Sequence, residues 1–396
     1  MAVTDVSNLN KKRQQKKMMR FLAKVIIIVI VAGTVAALIL TKDSWYPNLK
    51  GLLGKVPSGN KTAELAGGQF PLVIGSGAEY QLETVDNAIA VLDDSHFNVY
   101  NNNGQELFSY QHTLANPILC TAEKKALIYD LGGNSFSLMS KYKEVYSKTL
   151  LKPILIAKLS DSDQAAIVTK DDKFLSYLRI YNNMGEEVLS YGSITRIIDV
   201  TFDSTDTGCY ITTIDSKNGV IVSQILYYRL DRVDRDASGN PVPVWKTDYI
   251  ETLPYSVRTF GEESIIVFGD NLCAYYDING KLIKVYNYDY TVTGFDSDSN
   301  TAAMVFSLPE SRKSLLVTID KNTAQVYETQ LDFTAENIQV SDRIIYIQNN
   351  SGIISYTPFG AESSSAKLSE DYDDFRKLNG HIFLMGYDEI NRIDFN

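Results

Sequence analysis

The chain has 396 residues, of which 44% are hydrophobic and 22% are charged, with a formal net charge of −10. Basic residues are concentrated at the amino terminus, so residues 25–396 carry 31 basic and 47 acidic side chains. An acidic surface repels polyanions, which argues against nucleic acid, anionic lipid headgroups and anionic wall polymers as electrostatic partners.

The first predicted element is a membrane-spanning helix at residues 21–41. Seven basic residues precede an uncharged run at residues 25–40. Twenty-one residues of helix measure about 31 Å, which matches a bilayer core. Because basic residues stay on the cytoplasmic side, we expect residues 1–20 to be a cytoplasmic tail and the rest of the chain to be extracellular. The alternative is a cleaved signal peptide, suggested by the small residues Ala36 and Ala37.

Residues 42–68 follow the predicted helix and are rich in glycine and proline. This composition is typical of a flexible tether, and 27 residues of coil span on the order of 30 Å. We therefore expect a single-pass cell-membrane protein whose folded domain occupies residues 69–396.

The domain has three cysteines, Cys120, Cys209 and Cys273, each inside an apolar run. An odd number of buried cysteines argues against a disulfide framework. The absence of a CxxC pair argues against a thiolate zinc site.

From residue 70 onward, short runs rich in Val, Ile, Tyr and Phe alternate with polar turns, which predicts an all-β domain. One sequence pattern recurs: an apolar strand, a polar turn, a glycine and a polar residue that begins the next strand. A reversal that passes through positive φ explains the glycine. Its four copies contain the predicted blade-turn glycines Gly104, Gly185, Gly280 and Gly360.

The repeat units contain four strands in about 40 residues, the pattern of a β-propeller. Units begin near residues 80, 116, 153, 195, 254, 290, 334 and 371, which predicts about eight blades. The last unit has three strands, and residues 70–74 are expected to supply its outer strand and close the ring. Seven blades is the alternative, if the serine-rich unit at residues 334–370 is absorbed into a neighbour.

These repeats resemble those of quinoprotein-like and WD40-like propellers, and the layout is similar to uncharacterised membrane-anchored propeller families of Gram-positive bacteria. The chain lacks the Trp-Asp dipeptide of WD40 repeats. It also lacks the docking tryptophan in most blades that quinone-cofactor dehydrogenases carry, since its only tryptophans are Trp45 and Trp245. The resemblance therefore implies a fold and no activity, and we predict no cofactor.

Candidate catalytic and metal sites are weak. His96, His112 and His381 show no metal-ligand spacing, and no nucleophile elbow or phosphate-binding loop is present. Asp234 and Asp236 imitate the start of a calcium loop, but Trp245 stands where the loop needs a bidentate glutamate. We predict no catalytic, cofactor-binding or metal residues. The segment that contains Asp234 and Asp236 is expected to form an exposed hairpin.

Other polar clusters have structural explanations. Asp and Asn side chains between the first two strands of two blades are expected to cap turns. They are Asp161, Asp163, Asp296, Asp298 and Asn300. The acidic cluster Glu370, Asp371, Asp373 and Asp374 is expected to be a solvated surface. Tyr286, Tyr288 and Tyr290 are expected to pack between blades, with stacking on a sugar or a peptide as the alternative.

The sequence favours a non-catalytic scaffold that binds other proteins of the cell envelope, since rigid blades hold variable loops in fixed positions. The alternative is an envelope enzyme or a propeller that binds a carbohydrate or small ligand. That alternative needs carboxylates that converge on the central channel, for which Glu83, Asp199 and Glu336 are the candidates on predicted inner strands. A sensor that signals through a partner is a third possibility.

Overall fold

The computed structural model describes residues 65, 68–74, 79–309 and 311–395. The expected cytoplasmic tail, membrane helix and almost all of the tether lie outside these residues. No helix long and apolar enough to cross a membrane occurs in the described part of the chain.

The described residues form eight four-stranded antiparallel sheets. Blades are numbered 1 to 8 in chain order, and each begins with the strand nearest the centre. The first four blades contain the following strands: β2 (Gln81–Val85), β3 (Ala88–Leu92), β4 (His96–Asn101) and β5 (Glu106–Gln111); β6 (Pro117–Thr121), β7 (Lys125–Asp130), β8 (Ser135–Ser140) and β9 (Lys143–Thr149); β10 (Ile154–Leu159), β11 (Ala165–Thr169), β12 (Ser176–Tyr181) and β13 (Glu187–Ser193); β14 (Arg196–Phe202), β15 (Gly208–Lys217), β16 (Val220–Arg229) and β17 (Trp245–Ile250).

The remaining blades follow the same order except at the end of the chain. Their strands are β18 (Pro254–Thr259), β19 (Ser264–Gly269), β20 (Leu272–Asp277) and β21 (Leu282–Asn287); β22 (Thr291–Ser297), β23 (Thr301–Ser307), β24 (Ser314–Asp320) and β25 (Gln325–Leu331); β26 (Asn337–Ser341), β27 (Ile344–Asn349), β28 (Gly352–Tyr356) and β29 (Glu362–Lys367); β30 (Asp374–Leu378), β31 (His381–Met385) and β32 (Glu389–Asp394), with β1 (Leu72–Val73) as the outer strand.

The prediction that the first strand closes the ring is confirmed. Leu72 pairs with Ile390 and Val73 pairs with Glu389, so β1 runs antiparallel to β32. The seven-blade alternative is wrong, because the serine-rich segment forms β29 and pairs with β28 along its length. The unit at residues 334–370 is therefore a complete blade.

The polar turn between the third and fourth strands explains the recurrent glycine. In blade 1, Asn101 Oδ1 accepts hydrogen bonds from the amides of Asn103 and Gln105, at 2.9 and 3.0 Å. The following glycine has a positive φ, which a residue with a Cβ rarely adopts. The φ values at Gly104, Gly185, Gly280 and Gly360 are 83, 77, 80 and 76°.

The two faces of each blade pack against the neighbouring blades, which is why the second and third strands contain most of the buried apolar side chains. A typical interface, between blades 5 and 6, packs Phe268, Tyr288 and Phe306 together. Tyr288 donates a hydrogen bond to the Gly269 carbonyl at 2.6 Å. Tyr286 donates to Glu328 Oε1 at 2.9 Å, and therefore links blade 5 to blade 6. Tyr286 and Tyr288 therefore lie between blades, as the sequence predicts, whereas Tyr290 is 42% exposed.

Burial and the hydrogen bond to Glu328 raise the pKa of Tyr286 to about 12. A tyrosine in the unfolded chain ionises near pH 10. The raised folded-state pKa therefore contributes stability that is complete below about pH 10 and is lost as the pH rises towards 12. We predict that Tyr286→Phe reduces the decline in urea-unfolding midpoint between about pH 9 and about pH 12. An unchanged decline would contradict this assignment.

Antiparallel pairing also defines the two faces of the ring. The face of the ring at which the inner strands begin is called the upper face. It carries the connections between successive blades and those between the second and third strands of each blade. The lower face carries the other turns, including the glycine turns. The amino-terminal segment meets the ring at the lower face, where the amide of Gln69 donates to the Asn103 carbonyl at 2.9 Å.

Candidate functional site

The centre of the ring contains a cavity of about 730 Å³, lined by the first strands of all eight blades. Each inner strand contributes at least one polar side chain or thiol to its wall. In chain order, one from each strand, these are Glu83, Cys120, Lys158, Asp199, Arg258, Asp296, Gln339 and Arg376. The channel is therefore the place where charged side chains from different blades come together.

Three ion pairs lie in this channel, and each joins two neighbouring blades. Arg376 of blade 8 donates two hydrogen bonds to Glu83 of blade 1, at 2.8 and 3.0 Å. Lys158 of blade 3 lies 3.1 Å from Asp199 of blade 4. Arg258 of blade 5 pairs with Asp296 of blade 6. The three carboxylates and three cations balance, so these six groups carry no net charge.

The ion pair between Arg376 and Glu83 closes the ring at the inner strands, as β1 closes it at the rim. Burial disfavours the charged guanidinium, but the hydrogen bonds and charge of Glu83 outweigh burial and raise the pKa of Arg376. Arg376 also contacts Asp374 at 2.7 Å. The guanidinium is thus held in place from two sides.

Further side-chain contacts connect neighbouring blades that share no channel ion pair. Asp199 accepts a hydrogen bond from the Val257 amide at 3.2 Å, and Asp296 accepts one from the Val340 amide at 2.6 Å. Gln339 accepts from the Lys377 amide at 2.7 Å. These contacts extend from blade 4 to blade 8, so the channel side chains serve to hold neighbouring inner strands together.

Two of the three predicted channel carboxylates, Glu83 and Asp199, lie in the channel. The placement of Glu336 on an inner strand is wrong. Glu336 precedes β26, is exposed, and lines a separate cavity of about 550 Å³ with Glu370, Asp371 and Asp373. It cannot form a pair with the channel carboxylates.

Asp296 is a third carboxylate in the channel, although the sequence pattern predicts that it caps a turn. It lies in β22, where its side chain pairs with Arg258, so the turn assignment is wrong for this residue. The expected capping holds for Asp298, whose Oδ1 accepts the amides of Asn300 and Thr301 at 2.8 Å. Asp161 instead accepts the Glu123 amide at 2.9 Å, from the preceding blade.

The insertion that imitates a calcium loop forms a tight turn. Asp236 Oδ1 accepts the amides of Ser238 and Asn240, at 2.8 and 2.9 Å, and Gly239 has a φ of 82°. This is the same hydrogen-bond pattern as in the glycine turns. Within the described residues, no group of three His, Cys, Asp or Glu side chains could hold a metal ion.

Two of the histidines have polar partners, and two of the cysteines are buried. His381 contacts Asp394 at 2.7 Å, and a His112 ring nitrogen lies 3.1 Å from the Asp93 carbonyl. Cys209 and Cys273 are buried free thiols, and burial raises the pKa of both. A raised pKa keeps a thiol protonated and unreactive.

An aromatic pair distinguishes one side of the channel wall. The rings of Tyr255 and Phe295 are stacked, with centroids 6.4 Å apart and planes 10° apart. The Arg258 guanidinium lies 5.5 Å from the centroid of Phe295. This group offers flat apolar surface beside a cation that is already paired with Asp296.

Residues 74–395 match a family of unknown function, DUF5711. The chain belongs to this family. The match covers most of the sequence and coincides with the propeller, so the DUF5711 match and the eight-bladed ring describe the same segment. A search of curated proteins with this sequence finds no match.

Among solved structures, this DUF5711 propeller is similar to Sqt1 from Saccharomyces cerevisiae, with a TM-score of 0.57 and 10% identity. The match covers 85% of this chain and 100% of Sqt1. It is also similar to BamB from Moraxella catarrhalis, with a TM-score of 0.54 and 12% identity, over 82% of this chain and 97% of BamB. At these identities the likeness establishes the propeller fold and no more.

Proposed function

We propose that this chain is a single-pass membrane protein, with its amino terminus in the cytoplasm, whose extracellular propeller is a non-catalytic scaffold for other cell-envelope proteins. The location rests on the basic tail and the uncharged run at residues 25–40. The scaffold role rests mainly on one observation: Glu83, Asp199 and Asp296 each pair with a cation from a neighbouring blade.

General acid–base chemistry needs a carboxyl group that can reach a substrate and exchange a proton with it. The carboxylates of Glu83, Asp199 and Asp296 are instead occupied by cations of neighbouring blades. The channel groups are therefore better suited to fixing the blades than to chemistry. A rigid ring leaves the loops as the variable part of the surface, where specific contacts usually arise.

Crosslinking in intact cells, followed by affinity purification of the full chain, tests this proposal. A fragment comprising residues 1–68 is the control, because it retains the predicted anchor and lacks the propeller. Envelope proteins recovered with the full chain and absent from the control support the scaffold role. Recovery of the chain alone contradicts it.

A substitution in the channel distinguishes the scaffold function from an enzymatic one. We predict that Asp296→Asn lowers the free energy of unfolding by about 1 kcal/mol, because Arg258, which is itself 38% exposed, loses its ionic partner. The same variant is expected to recover the crosslinked proteins at the wild-type level. A folded Asp296→Asn protein that recovers none of them would favour a role for the channel in chemistry or ligand binding.

Binding of a carbohydrate or small ligand in the channel is the second candidate, favoured by the stacked rings of Tyr255 and Phe295. Aromatic faces of this kind stack on sugar rings. Screening glycans and metabolites against the full chain tests it. A hit that Tyr255→Ala abolishes, without a change in the unfolding midpoint, would support this candidate.

A further inference from the structure

The exposed charge of the channel is unevenly distributed, although its ion pairs balance. In the pair between blades 3 and 4, the side chain of Lys158 is 41% exposed and that of Asp199 is 5% exposed. In the pair between blades 5 and 6, Arg258 is 38% exposed and Asp296 is 18% exposed. A ligand that enters the channel on this side therefore meets the cations first.

The two carboxylates are less exposed because they also bind the backbone of the next blade. Asp199 Oδ2 accepts the Val257 amide at 3.2 Å, and Asp296 accepts a backbone amide of blade 7. An ammonium group has three hydrogen-bond donors and a guanidinium has five, so one carboxylate partner leaves further donors on each cation. Lys158 and Arg258 can therefore donate to a ligand while they keep their ion pairs.

A single carboxylate connects these two cations. Asp199 Oδ1 lies 3.1 Å from Lys158 Nζ, and Asp199 Oδ2 binds the amide of Val257, which directly precedes Arg258 in β18. Both cations line the same cavity of about 730 Å³. This volume lies within the range of pockets that hold one small molecule. The two cations are thus placed to act on one ligand.

The opposite side of the channel has the reverse character. In a ring of eight blades, blades 8 and 1 lie across from blades 4 and 5. The ion pair there exposes more of its carboxylate, since Glu83 is 33% exposed and Arg376 is 23% exposed. Arg376 is also bound by a second carboxylate, that of Asp374. One anionic group is therefore favoured on the side of blades 3 to 5, and a second one across the channel is repelled.

Flat apolar surface lies beside the exposed cations. Phe268, Phe295 and Tyr255 form a series of near-parallel rings, with centroids 4.7 and 6.4 Å apart and planes 23 and 10° apart. Phe268 is buried and Tyr255 is 44% exposed, so the series ends in the channel. Tyr255 lies where the register of β18 shifts, and a β-bulge redirects the side chain of its extra residue. Tyr255 is thus a supported platform above Arg258.

We propose that the channel binds a small molecule with a flat ring and one carboxylate. The carboxylate is bound by Lys158 and Arg258, and the ring stacks on Tyr255. Sugar acids and aromatic acids share this chemistry, since both rings stack on an aromatic face. The proposal rests on the second candidate function, ligand binding in the channel, and names the chemical class of the ligand. It leaves the loops free for the scaffold function.

Two matched pairs of small molecules test the need for the carboxylate. Glucuronate and glucose differ at one carbon, and 4-hydroxyphenylacetate is compared with its neutral alcohol, 4-hydroxyphenylethanol. The full chain, held in phosphatidylcholine nanodiscs, is titrated with each compound, and binding is measured by calorimetry. At least one acid is expected to bind about tenfold more tightly than its neutral partner, because charge-assisted hydrogen bonds are strong. Added salt is expected to reduce this preference.

The four titrations also separate this proposal from the candidate function on which it rests. A preference confined to glucuronate identifies a sugar acid, and one confined to 4-hydroxyphenylacetate identifies an aromatic acid. Equal binding of acid and neutral compound in both pairs overturns the ligand class, while ligand binding in the channel stands. If neither acid binds, the proposal is overturned whatever the neutral compounds do.

Variants of Lys158 locate the carboxylate. Lys158→Gln is expected to weaken binding of the preferred acid about tenfold and to leave the affinity for its neutral partner unchanged. Lys158→Arg keeps the charge and should hold the affinity within about threefold of wild type. Lys170→Gln is the control, because Lys170 is an exposed cation that follows β11 and does not line the channel. Equal effects of Lys158→Gln and Lys170→Gln would overturn the site.

Variants of Tyr255 locate the ring and keep the test independent of the ion pairs. Tyr255→Leu removes the flat surface and is expected to weaken binding of the acid about threefold or more, whereas Tyr255→Phe should retain it. Urea-unfolding midpoints identify any variant whose fold is impaired. If Lys158→Gln does not fold, the two Tyr255 variants still decide whether the ligand lies in the channel. Wild-type affinity of a folded Tyr255→Leu protein would show that the ring does not stack there.

Discussion

Replacement of Leu72 by Asp is expected to cost about 4 kcal/mol of the free energy of unfolding, because it places a charge in an apolar site at the closure of the ring. Leu72 is 8% exposed and packs with Phe383, Ile390 and Ile89, so it contacts both blade 8 and blade 1. The substitution removes these contacts and loosens β1. Equilibrium urea unfolding, followed by tryptophan fluorescence, measures the loss.

The neighbouring residue supplies the control. Val73 lies in the same two-residue strand but is 75% exposed, so Val73→Asp should change the free energy of unfolding by no more than about 0.5 kcal/mol. A loosened β1 leaves the hydrogen-bonding edge of β32 unpaired, which is a template for association between molecules. We therefore expect Leu72→Asp, and not Val73→Asp, to form oligomers on gel filtration. Equal behaviour of the two variants would show that β1 does not close the ring.

The prediction of this closure shows what the sequence determines well. Blade number follows from turns, and the turns depend on local chemistry: an Asn or Asp that caps two amides, followed by a glycine with positive φ. Such signals act within five residues and survive as a visible repeat. The strand at residues 70–74 could be placed because a propeller with three strands in its last blade needs an outer strand from elsewhere.

The channel could be predicted only in part, because its geometry depends on irregular inner strands. The pairing of first and second strands shifts register in blades 3 to 6, and two of the shifts lie at Ile197 to Asp199 and at Val292 to Gly294. Each β-bulge turns the following side chains to a different direction, so simple alternation fails to identify those that face the channel. The turn prediction for Asp296 has a different cause, since Asp296 begins a segment rich in Asp and Ser that is typical of a turn.

Sequence patterns miss the cations of the channel for a related reason. Lys158 and Arg258 lie about one blade away in sequence from their partners, and Arg376 lies almost the length of the propeller away from Glu83. No local pattern reveals such pairs. The available signal is that each lies within an inner strand, where a cation needs a partner from a neighbouring blade. Glu336 is the reverse case, because the sequence pattern predicts that it lies on an inner strand, and it does not. It immediately precedes β26 and therefore lies on the upper face.

The glycine at the start of β28 is expected to tolerate no side chain. Gly352 has a φ of 153°, and a Cβ there would lie well inside van der Waals contact with the Ala366 carbonyl of the neighbouring strand. Gly352 pairs with Lys367, so the clash can be relieved only by displacing β29. We predict that Gly352→Ala lowers the free energy of unfolding by about 3 kcal/mol, measured by urea unfolding.

Gly132→Ala is the matched control, because Gly132 also has a positive φ, of 80°, but no atom lies within 4 Å of the position that an alanine Cβ would occupy there. Only backbone strain then remains, at a cost of about 1 kcal/mol. The difference between the two variants measures the close approach of β29 to β28. Because β29 is serine-rich and only weakly buried, its place in blade 7 depends on this backbone pairing rather than on side-chain packing. Equal losses in the two variants would mean that β29 can move away at little cost, and that blade 7 is held by its three inner strands.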